Sequence, residues 1–213
     1  IAFINYKDIL SVVGATKQND VKMGNLLSIK SAINYLNYDC VISSDNEVIE
    51  NSKILILPGV GSFYEAMTYI KSKKIDRSIK VALSKDSKIL GICLGMQLLG
   101  LSSDEDEFTT GLSLIKLKFE KFNTSEVNNA KIPHIGFNSV TFNQKDKLFK
   151  GIKQNSYFYF VHSYRTLSND NENPFLCSHF KYGKKFISSF SKNNIFGTQF
   201  HPEKSQTNGL LLI

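Results

Sequence analysis

The sequence predicts an α/β fold in which an open, mostly parallel sheet flanked by helices is followed by an additional, mostly antiparallel β section in the C-terminal half. In the first half, short apolar runs alternate with stretches of helical periodicity. These apolar runs are nearly continuous, which is typical of strands covered on both faces. From about residue 112, short β-like runs are separated by turn residues instead. Open parallel sheets bind ligands outside the carboxyl ends of their strands, so we expect a site at that edge.

The first half of the chain supplies the parallel sheet and its helices. Strands are predicted at residues 1–6, 39–43, 53–57 and 88–92. Helices are predicted at residues 24–37, at 62–84 with a break near Ile75, and at 94–101. In the first of these helices, apolar residues recur at helical spacing and form one buried face: Leu26, Ile29, Ile33 and Leu36.

The second half supplies the β section and one closing helix. The β-like runs cover residues 112–122, 135–142, 157–164, 175–180, 186–190 and 195–200. Gly183, between two of these runs, indicates a hairpin, and a short helix over roughly 205–213 closes the fold. We interpret the acidic segment 102–107 as a solvated loop.

Composition and charge exclude several classes of protein. The 213 residues are 42% hydrophobic and 21% charged, which excludes wholesale disorder and predicts one domain over residues 1–213. No apolar run approaches the roughly 20 residues of a membrane span, and no secretory leader is recognisable, so we expect a cytoplasmic protein. The net charge of +7 comes mostly from lysines, with Arg77 and Arg165 as the arginines. Nucleic-acid readers favour the arginine fork, so we interpret the basic residues as solvated surface lysines.

A cysteine occupies the turn between a predicted strand and a predicted helix. Cys93 lies between Gly91 and Gly95, in the pattern of a nucleophile presented on a sharp strand–helix turn. The backbone N–H groups and positive dipole end of the following helix favour a thiolate. The alternative is a buried cysteine that packs as a small hydrophobe. The other cysteines, Cys40 and Cys177, lie in β-like runs as packing residues, and the wide spacing of the three favours neither disulfides nor a zinc site.

A histidine and a carboxylate follow the last predicted strand. His201 and Glu203 are two residues apart, and alternate residues of an extended segment share a face. Glu203 would then hold the imidazole in one tautomer while His201 moves the proton of a nucleophile. Taken alone, a His-Pro-Glu segment is more typical of an exposed loop.

Five segments in the same order carry a resemblance to a known family. They are P-G-V-G at 58–61, G-I-C-L-G-M-Q-L-L at 91–99, P-H-I-G-F-N at 133–138, Y-F-Y-F-V-H-S-Y at 157–164, and G-T-Q-F-H-P-E-K-S at 197–205. With these segments the sequence resembles the triad (class I) glutamine amidotransferases, which have a flavodoxin-like fold. More narrowly, it looks like the HisH family, the glutaminase subunits of imidazole glycerol phosphate synthase.

The resemblance implies a role for each matching residue. Cys93 attacks the side-chain amide of glutamine and forms a γ-glutamyl thioester, His201 is the general base and then acid, and Glu203 orients His201. The implied oxyanion hole consists of the backbone at Gly59, Val60, Gly61 and Leu94. The implied glutamine-binding side consists of Gln97, His162, Ser163 and Tyr164. The implied partner interface consists of Lys204, His134 and Asn138.

The resemblance also implies an activity and a partner. It implies hydrolysis of L-glutamine to glutamate and ammonia, within a heterodimer with a HisF-like (β/α)8 cyclase subunit. That lyase complex makes imidazole glycerol phosphate and an aminoimidazole carboxamide ribotide in histidine biosynthesis. No metal or organic cofactor is implied. Free ammonia is largely protonated at neutral pH and is then no nucleophile, so direct transfer to the partner makes chemical sense.

Several residues have an alternative interpretation. The segment 58–61 could be a dinucleotide loop, but Tyr64 occupies the place of the third glycine in that motif. His162 lies in an aromatic strand and could be a satisfied core histidine. His134 and Asn138 could only organise the loop near the interface.

The sequence departs from the family near its amino terminus. Residues 7–22 separate Ile4-Asn-Tyr6 from Met23-Gly-Asn-Leu26, segments that are nearly continuous in the family. We interpret residues 7–22 as an atypical insertion, either an excursion over the sheet end or a replaced first strand. This keeps open a second function, in which the glutaminase supplies ammonia to a different synthase, such as a surface-sugar amidotransferase. A non-catalytic scaffold and a basic nucleic-acid binder are the remaining classes.

Overall fold

The computed structural model describes residues 2–4, 19–59, 61–126, 131–168 and 175–213. Its helices are α1 (Asn19–Tyr35), α2 (Asn46–Asn51), α3 (Phe63–Ser72), α4 (Ile75–Ser84), α5 (Leu94–Leu98) and α6 (Gln206–Leu212). The strands of the first half are β1 (Ala2–Ile4), β2 (Val41–Ser43), β3 (Ile54–Leu57), β4 (Lys88–Ile92), β5 (Ser102–Ser103), β6 (Thr109–Thr110) and β7 (Lys118–Lys121). The strands of the second half are β8 (His134–Ser139), β9 (Thr141–Phe142), β10 (Tyr157–His162), β11 (Tyr164–Arg165), β12 (Leu176–Tyr182), β13 (Lys184–Lys192) and β14 (Ile195–Thr198).

One large sheet joins the two halves of the chain. In the described residues its strand order is β2-β1-β3-β4-β14-β13-β12-β9. The strands from β2 to β14 are parallel, and the pairs beyond β14 are antiparallel. The predicted α/β class, with a mostly parallel sheet and an antiparallel addition, is therefore confirmed. Because Thr198 of β14 pairs with Ile92 of β4, the segments that follow these two strands emerge side by side.

Helices α3 and α4 confirm the predicted break near Ile75. Ser62 caps α3 by accepting a hydrogen bond from the backbone N–H of Glu65, the first half of a capping box. The helix ends at Ser72, and Lys74 turns the chain in a left-handed conformation with φ of 59°. Both helices bury an apolar face against the sheet, and this face contains Phe63, Met67, Ile70, Ile75 and Ile79.

Helix α1 is longer than predicted and includes the last residues of the predicted amino-terminal insertion. It begins at Asn19 rather than at residue 24, and it buries Ile29 and Ile33 as expected. Residues 19–22 of the predicted insertion are therefore helical. A single interior glycine such as Gly24 costs only about 1 kcal/mol, so it does not end a helix. The rest of the predicted insertion, residues 7–18, lies outside the described residues.

The predicted strand over residues 112–122 is mostly wrong. Strand β7 occupies only Lys118–Lys121, because the preceding residues bond to the end of α5 instead of to a sheet. Leu112 donates its backbone N–H to Leu98 at 2.8 Å, and Leu114 donates to Leu99 at 3.0 Å. These bonds satisfy the last carbonyl groups of the helix, as a helix C-terminus requires. They also explain why α5 ends at Leu98 and not at residue 101.

The acidic segment 102–107 is not simply a solvated loop, which corrects the second prediction of this region. Ser102 and Ser103 are buried and form β5, which pairs with β6 and β7 in a small separate sheet. The carboxylate of Glu105 accepts the backbone N–H of Phe63 at 2.8 Å. The segment is thus tied to the beginning of α3, next to the carboxyl end of β3.

Strands β8 and β10 form a two-stranded antiparallel ribbon over the carboxyl edge of the large sheet. Their inner side packs on an aromatic core that includes Phe158, Phe160, Phe186 and Phe200. The outer side leaves three large apolar side chains exposed: Ile135, Phe137 and Tyr157. In the described part of the chain, none of the helices is long and apolar enough to cross a membrane.

Candidate active site

Cys93 lies at the turn between β4 and α5, as the sequence predicts. Its backbone has φ of 54° and ψ of −110°, a strained conformation for a residue with a side chain. The turn is fixed by the backbone N–H of Cys93, which donates to Thr198 at 2.7 Å, and by its carbonyl, which accepts from Gln97 at 3.2 Å. The side chain is 8% exposed, so the sulfur lies just below the surface of a pocket.

Glycines allow the segments around Cys93 to approach closely. A Cβ at Gly95 would lie 1.8 Å from the carbonyl oxygen of Leu57, and one at Gly91 would lie 2.5 Å from the carbonyl oxygen of Gly95. Both contacts are with backbone and cannot be relieved by a side-chain rotation. A side chain at either position would clash with the backbone, which explains why both residues are glycines, as expected for a sharp strand–helix turn.

His201 and Glu203 follow β14 and form a hydrogen-bonded pair. The imidazole Nδ1 of His201 lies 2.8 Å from Oε1 of Glu203, whose side chain is fully buried. The backbone N–H of His201 donates to Tyr159 at 2.8 Å, which holds the segment against β10. Because Nδ1 is used by the carboxylate, Nε2 remains for Cys93, which lies close enough to raise the pKa of the His201 imidazole. The arrangement has the order of contacts of a nucleophile–base–acid triad.

The charge of His201 is set by its two partners. Burial alone would lower the pKa of the imidazole, but the charge and hydrogen bond of Cys93, together with Glu203, outweigh it. The pKa of His201 is raised to about 10 as a result. An imidazolium is thus favoured when the cysteine is a thiolate, because each charge stabilises the other.

A pocket of about 450 Å³ opens above these side chains. Its walls include most of the residues that the resemblance assigns to the oxyanion hole and to glutamine binding: Gly59, Gly61, Leu94, Gln97, His162, Ser163 and Tyr164. The structure thus brings these residues together around Cys93 and His201. A Cβ at Gly59 would lie 2.3 Å from the backbone nitrogen of Leu94, so those two segments adjoin as an oxyanion hole requires. Val60 lies outside the described residues.

Glu105 lines the same pocket and was missed by sequence reasoning. Burial raises the pKa of its carboxyl group, and the nearby Asp106, Asp104 and Glu65 raise it further, against the hydrogen bond from Phe63. A carboxylate in this position suits a cationic group of a ligand. Nothing in the local sequence separates Glu105 from its acidic neighbours, so only the fold could identify it.

His162 lines the pocket but uses both ring nitrogens inside the protein. Its Nδ1 lies 2.8 Å from the carbonyl oxygen of Tyr164, and its Nε2 lies 3.0 Å from Nδ1 of His134. Its imidazole therefore has the character of a satisfied core histidine, the alternative interpretation of the sequence. Any contact of His162 with a ligand would have to come from its backbone.

The three residues of the predicted interface lie in different environments. Lys204 is exposed and lies at the pocket, and Asn138 is half-buried on β8. His134 is 1% exposed and is enclosed by aromatic rings such as Phe180 and Tyr182, which favours the alternative that it only organises this part of the chain. Alternation along β8 explains this placement, since the neighbours Ile135 and Phe137 face outward instead.

The chemistry of the pocket follows from the groups that line it. The arrangement can attack a carbonyl carbon with sulfur, transfer a proton through imidazole and stabilise an oxyanion with backbone N–H groups. No three or more His, Cys, Asp or Glu side chains gather as a metal site within the ranges that the structure describes.

Comparisons with known proteins agree with this chemistry. The family described as "Glutamine amidotransferase class-I" matches residues 12–210. The chain is 45% identical to imidazole glycerol phosphate synthase subunit HisH 1 of Parasynechococcus marenigrum, over 91% of this chain and 92% of that protein. It is also 45% identical to subunit HisH 2 of Methanococcus maripaludis, over 91% of this chain and 94% of that protein.

Solved structures support the fold independently. The glutaminase domain of Trypanosoma brucei CTPS, solved with bound acivicin, superposes with a TM-score of 0.65 at 13% identity, over 99% of this chain and 90% of that chain. A glutamine amidotransferase from Thermotoga maritima superposes with a TM-score of 0.56 at 18% identity, over 82% of this chain and 69% of that chain. Sequence, site geometry and fold lead to one assignment: the chain belongs to the class I glutamine amidotransferases, in the HisH family of imidazole glycerol phosphate synthase subunits.

Proposed function

We propose that this chain hydrolyses L-glutamine to glutamate and ammonia, and that it delivers the ammonia to a cyclase partner of the imidazole glycerol phosphate synthase type. The observation that carries the proposal is that Cys93 and His201 line one pocket, while Glu203 lies buried behind His201 and 2.8 Å from its Nδ1. These side chains come from two strands that are distant in sequence but adjacent in the sheet. A protein with only a scaffolding role would not need this arrangement.

In the first half of the reaction, the Cys93 thiolate attacks the amide carbon of the glutamine side chain. A C–S bond forms, and the carbonyl oxygen becomes an oxyanion that the backbone around Gly59 and Leu94 can stabilise. As the C–N bond breaks, the His201 imidazolium gives its proton to the departing nitrogen, which leaves as ammonia. A thioester to Cys93 remains, and His201 is then neutral.

In the second half, a water molecule replaces ammonia as the reactant. Neutral His201 takes a proton from the water as its oxygen attacks the thioester carbon. The C–S bond breaks, the sulfur returns to a thiolate, and glutamate leaves with the added oxygen. The balance is one glutamine and one water consumed for one glutamate and one ammonia. Glu203 keeps His201 in the required tautomer through both steps.

The pocket also accounts for the amino-acid part of the substrate. Glu105 supplies a carboxylate for the α-ammonium group, and that contact would reverse the unfavourable environment that raises its pKa. The pocket volume of about 450 Å³ is enough for a small polar substrate. The same carboxylate disfavours an acid that lacks the amino group.

The partner is proposed to dock on the outer side of the β8–β10 ribbon. Ile135, Phe137 and Tyr157 are 58%, 46% and 59% exposed there and form one apolar face. The face borders the pocket, since Val161 of the same ribbon and the exposed Lys204 both line it. A protein seated on this face would cover the pocket mouth and could receive ammonia before water protonates it. The relatives with which this chain shares 45% identity are themselves named as subunits of a synthase.

The proposal is tested with Cys93→Ala in the reconstituted complex with the cyclase. We expect glutamine-dependent synthesis to fall by about 10⁴-fold or more, because the nucleophile is lost. Synthesis from added ammonia should persist, because the partner's chemistry does not use Cys93. Cys177→Ala, which removes a thiol outside the pocket, is the matched control and should keep both activities. Glutamine-dependent synthesis that survives Cys93→Ala would overturn the proposal.

A further inference from the structure

A chain of buried amide groups ends on the sulfur of Cys93. Gln199 is fully buried, and its side-chain Nε2 lies 3.7 Å from Cys93 Sγ. Its Oε1 lies 3.2 Å from Nε2 of Gln97, and that same Nε2 lies 3.3 Å from the carbonyl oxygen of Tyr164. The chain runs from a backbone carbonyl, through two glutamine side chains, to the nucleophile.

The direction of these hydrogen bonds is fixed by the first acceptor. A backbone carbonyl can only accept, so Gln97 must turn its NH₂ group toward Tyr164. The NH₂ group of Gln97 also faces Gln199, so the side chain of Gln199 must present its oxygen to Gln97. The NH₂ group of Gln199 is thereby directed at the sulfur. The opposite orientation would place two NH₂ groups against each other.

His162 strengthens this orientation. Its Nδ1 donates to the same Tyr164 carbonyl at 2.8 Å, so two donors occupy the oxygen. Tyr164 thus cannot rotate its carbonyl away without breaking both bonds inside the protein. Such networks are stable only when every member is satisfied, which makes the orientation of the last NH₂ group rigid.

The donor has a chemical consequence for Cys93. A hydrogen bond to an ionised acceptor is stronger than one to a neutral acceptor, so the NH₂ group of Gln199 favours thiolate over thiol. The carbonyl oxygen of Val161, 3.7 Å from the same sulfur on another side, can accept only from the thiol and has the opposite effect. Gln199 is thus the donor that faces the sulfur, opposite in effect to the Val161 carbonyl.

We propose that Gln199 is an additional catalytic residue, which stabilises the Cys93 thiolate by a hydrogen bond that Gln97 and the Tyr164 carbonyl orient. Its part in turnover rests on the proposed glutaminase function, but its contact with the sulfur does not. Gln199 is two residues before His201, so the alternation that brings His201 to the site brings Gln199 there too.

The contact is measured by alkylation of Cys93 with iodoacetamide across a pH series, using the full chain without glutamine or partner. Gln199→Met keeps the length of the side chain and removes the donor. We expect the lower midpoint of the alkylation profile to rise by roughly one to two pH units, since a hydrogen bond to a charged group is lost. Gln199→Glu places a negative charge beside the sulfur, and we expect a larger rise in the same direction.

The control is Thr198→Val, whose removed hydroxyl group has no hydrogen-bond partner among the described residues. It should leave the midpoint unchanged, although it alters the residue next to Gln199. Circular dichroism establishes that each variant is folded, and Gln199→Leu, which also lacks the donor, replaces Gln199→Met if that variant does not fold. An unchanged midpoint in either folded variant would overturn the proposal. Because alkylation needs no substrate, this outcome is separate from the wild-type glutaminase assay, whose failure would instead overturn the proposed function.

Discussion

At the residue scale, Glu105 is the carboxyl group that we propose to bind the ammonium group of the substrate. Its carboxyl group is held away from water and close to Asp104 and Asp106, and these conditions raise its pKa. The backbone N–H of Phe63 opposes them and fixes the orientation of the side chain. Such a carboxylate would be stabilised by a bound cation, because its charged neighbours are all acidic. An α-ammonium group at the pocket would complete it.

Glu105→Gln tests this role without changing the shape of the side chain. The amide oxygen can still accept from Phe63, so the fold should be kept while the negative charge is lost. We expect KM for glutamine to rise by roughly 10- to 100-fold with little change in kcat, as for the loss of a charged hydrogen bond made equally in the ground and transition states. Steady-state glutaminase assays of the complex measure both parameters.

Glu107→Gln is the control for that experiment, because it removes the same charge from an exposed position two residues away. Its KM should stay close to that of the wild type. Equal KM values for the wild type and for Glu105→Gln would show that the carboxylate does not bind the ammonium group.

Residues of the site differ in how far the sequence could reveal them. Cys93 was predictable because flanking glycines and the strand–helix turn define its geometry locally. For His201 and Glu203, alternation in an extended segment left an exposed loop open, and the resemblance to the family decided in favour of the site. Gln199 could have been found by that same alternation. Glu105 could not, because its environment is created by α3, an element that lies some forty residues earlier in the chain.

At the element scale, the β8–β10 ribbon carries a buried pair of histidines. His134 and His162 face each other across the ribbon, with 3.0 Å between Nδ1 and Nε2. Burial lowers the pKa of His134 to about 4 and that of His162 to about 3, where the charge of His134 also contributes. Both rings are therefore neutral at physiological pH. The Tyr164 carbonyl requires a proton on Nδ1 of His162, so its Nε2 must accept from His134.

This pair predicts a loss of stability in mild acid. In the unfolded chain both histidines titrate near 6.5, so below that pH the unfolded state binds more protons than the folded state. The free energy of unfolding is highest above pH 6.5 and falls progressively toward pH 4, by roughly 1–2 kcal/mol per histidine at pH 5. His134→Gln removes one of these groups and keeps a donor for His162.

Urea unfolding of the wild type and of His134→Gln at pH 7 and pH 5 measures the effect. We expect the wild type to lose about 1–2 kcal/mol more than the variant between the two pH values. Carboxylates that titrate in the same range contribute equally to both proteins and cancel in the comparison. The prediction fails if the two losses are equal.

Elements were predictable where local pattern and burial agree. The sequence predicts β3 and β4 correctly because each is a continuous apolar run. It predicts the α3–α4 break because the helical spacing is interrupted near Ile75. The stretch 112–117 has the short apolar pattern of a strand, but its backbone hydrogen bonds go to the end of α5. Strands β5 and β6 have only two residues each, too few for a periodic pattern.

At the scale of the whole molecule, the β8–β10 ribbon connects the outer apolar face to the triad. On the outside, Phe137 and Tyr159 pack together with ring centroids 5.4 Å apart. On the inside, the Tyr159 carbonyl holds His201 and the Val161 carbonyl contacts the sulfur of Cys93. A partner that presses on the outer face therefore acts on a strand that touches two members of the triad. A partner bound to the outer face would thus be connected, through this one strand, to His201 and Cys93.

Phe137→Glu tests whether this face is the docking surface. A charge at the centre of an apolar interface is costly to bury, so we expect the Kd for the cyclase to rise by roughly 30-fold or more, as at an interface hot spot. Phe137 is 46% exposed, so the isolated chain should remain folded and Cys93 should react with iodoacetamide at the wild-type rate. Isothermal titration calorimetry with the cyclase measures the affinity.

Val81→Glu, at an exposed position of α4, provides the control and should bind like the wild type. Wild-type affinity in Phe137→Glu would place the partner on another surface, and the route of ammonia out of the pocket would have to be sought there.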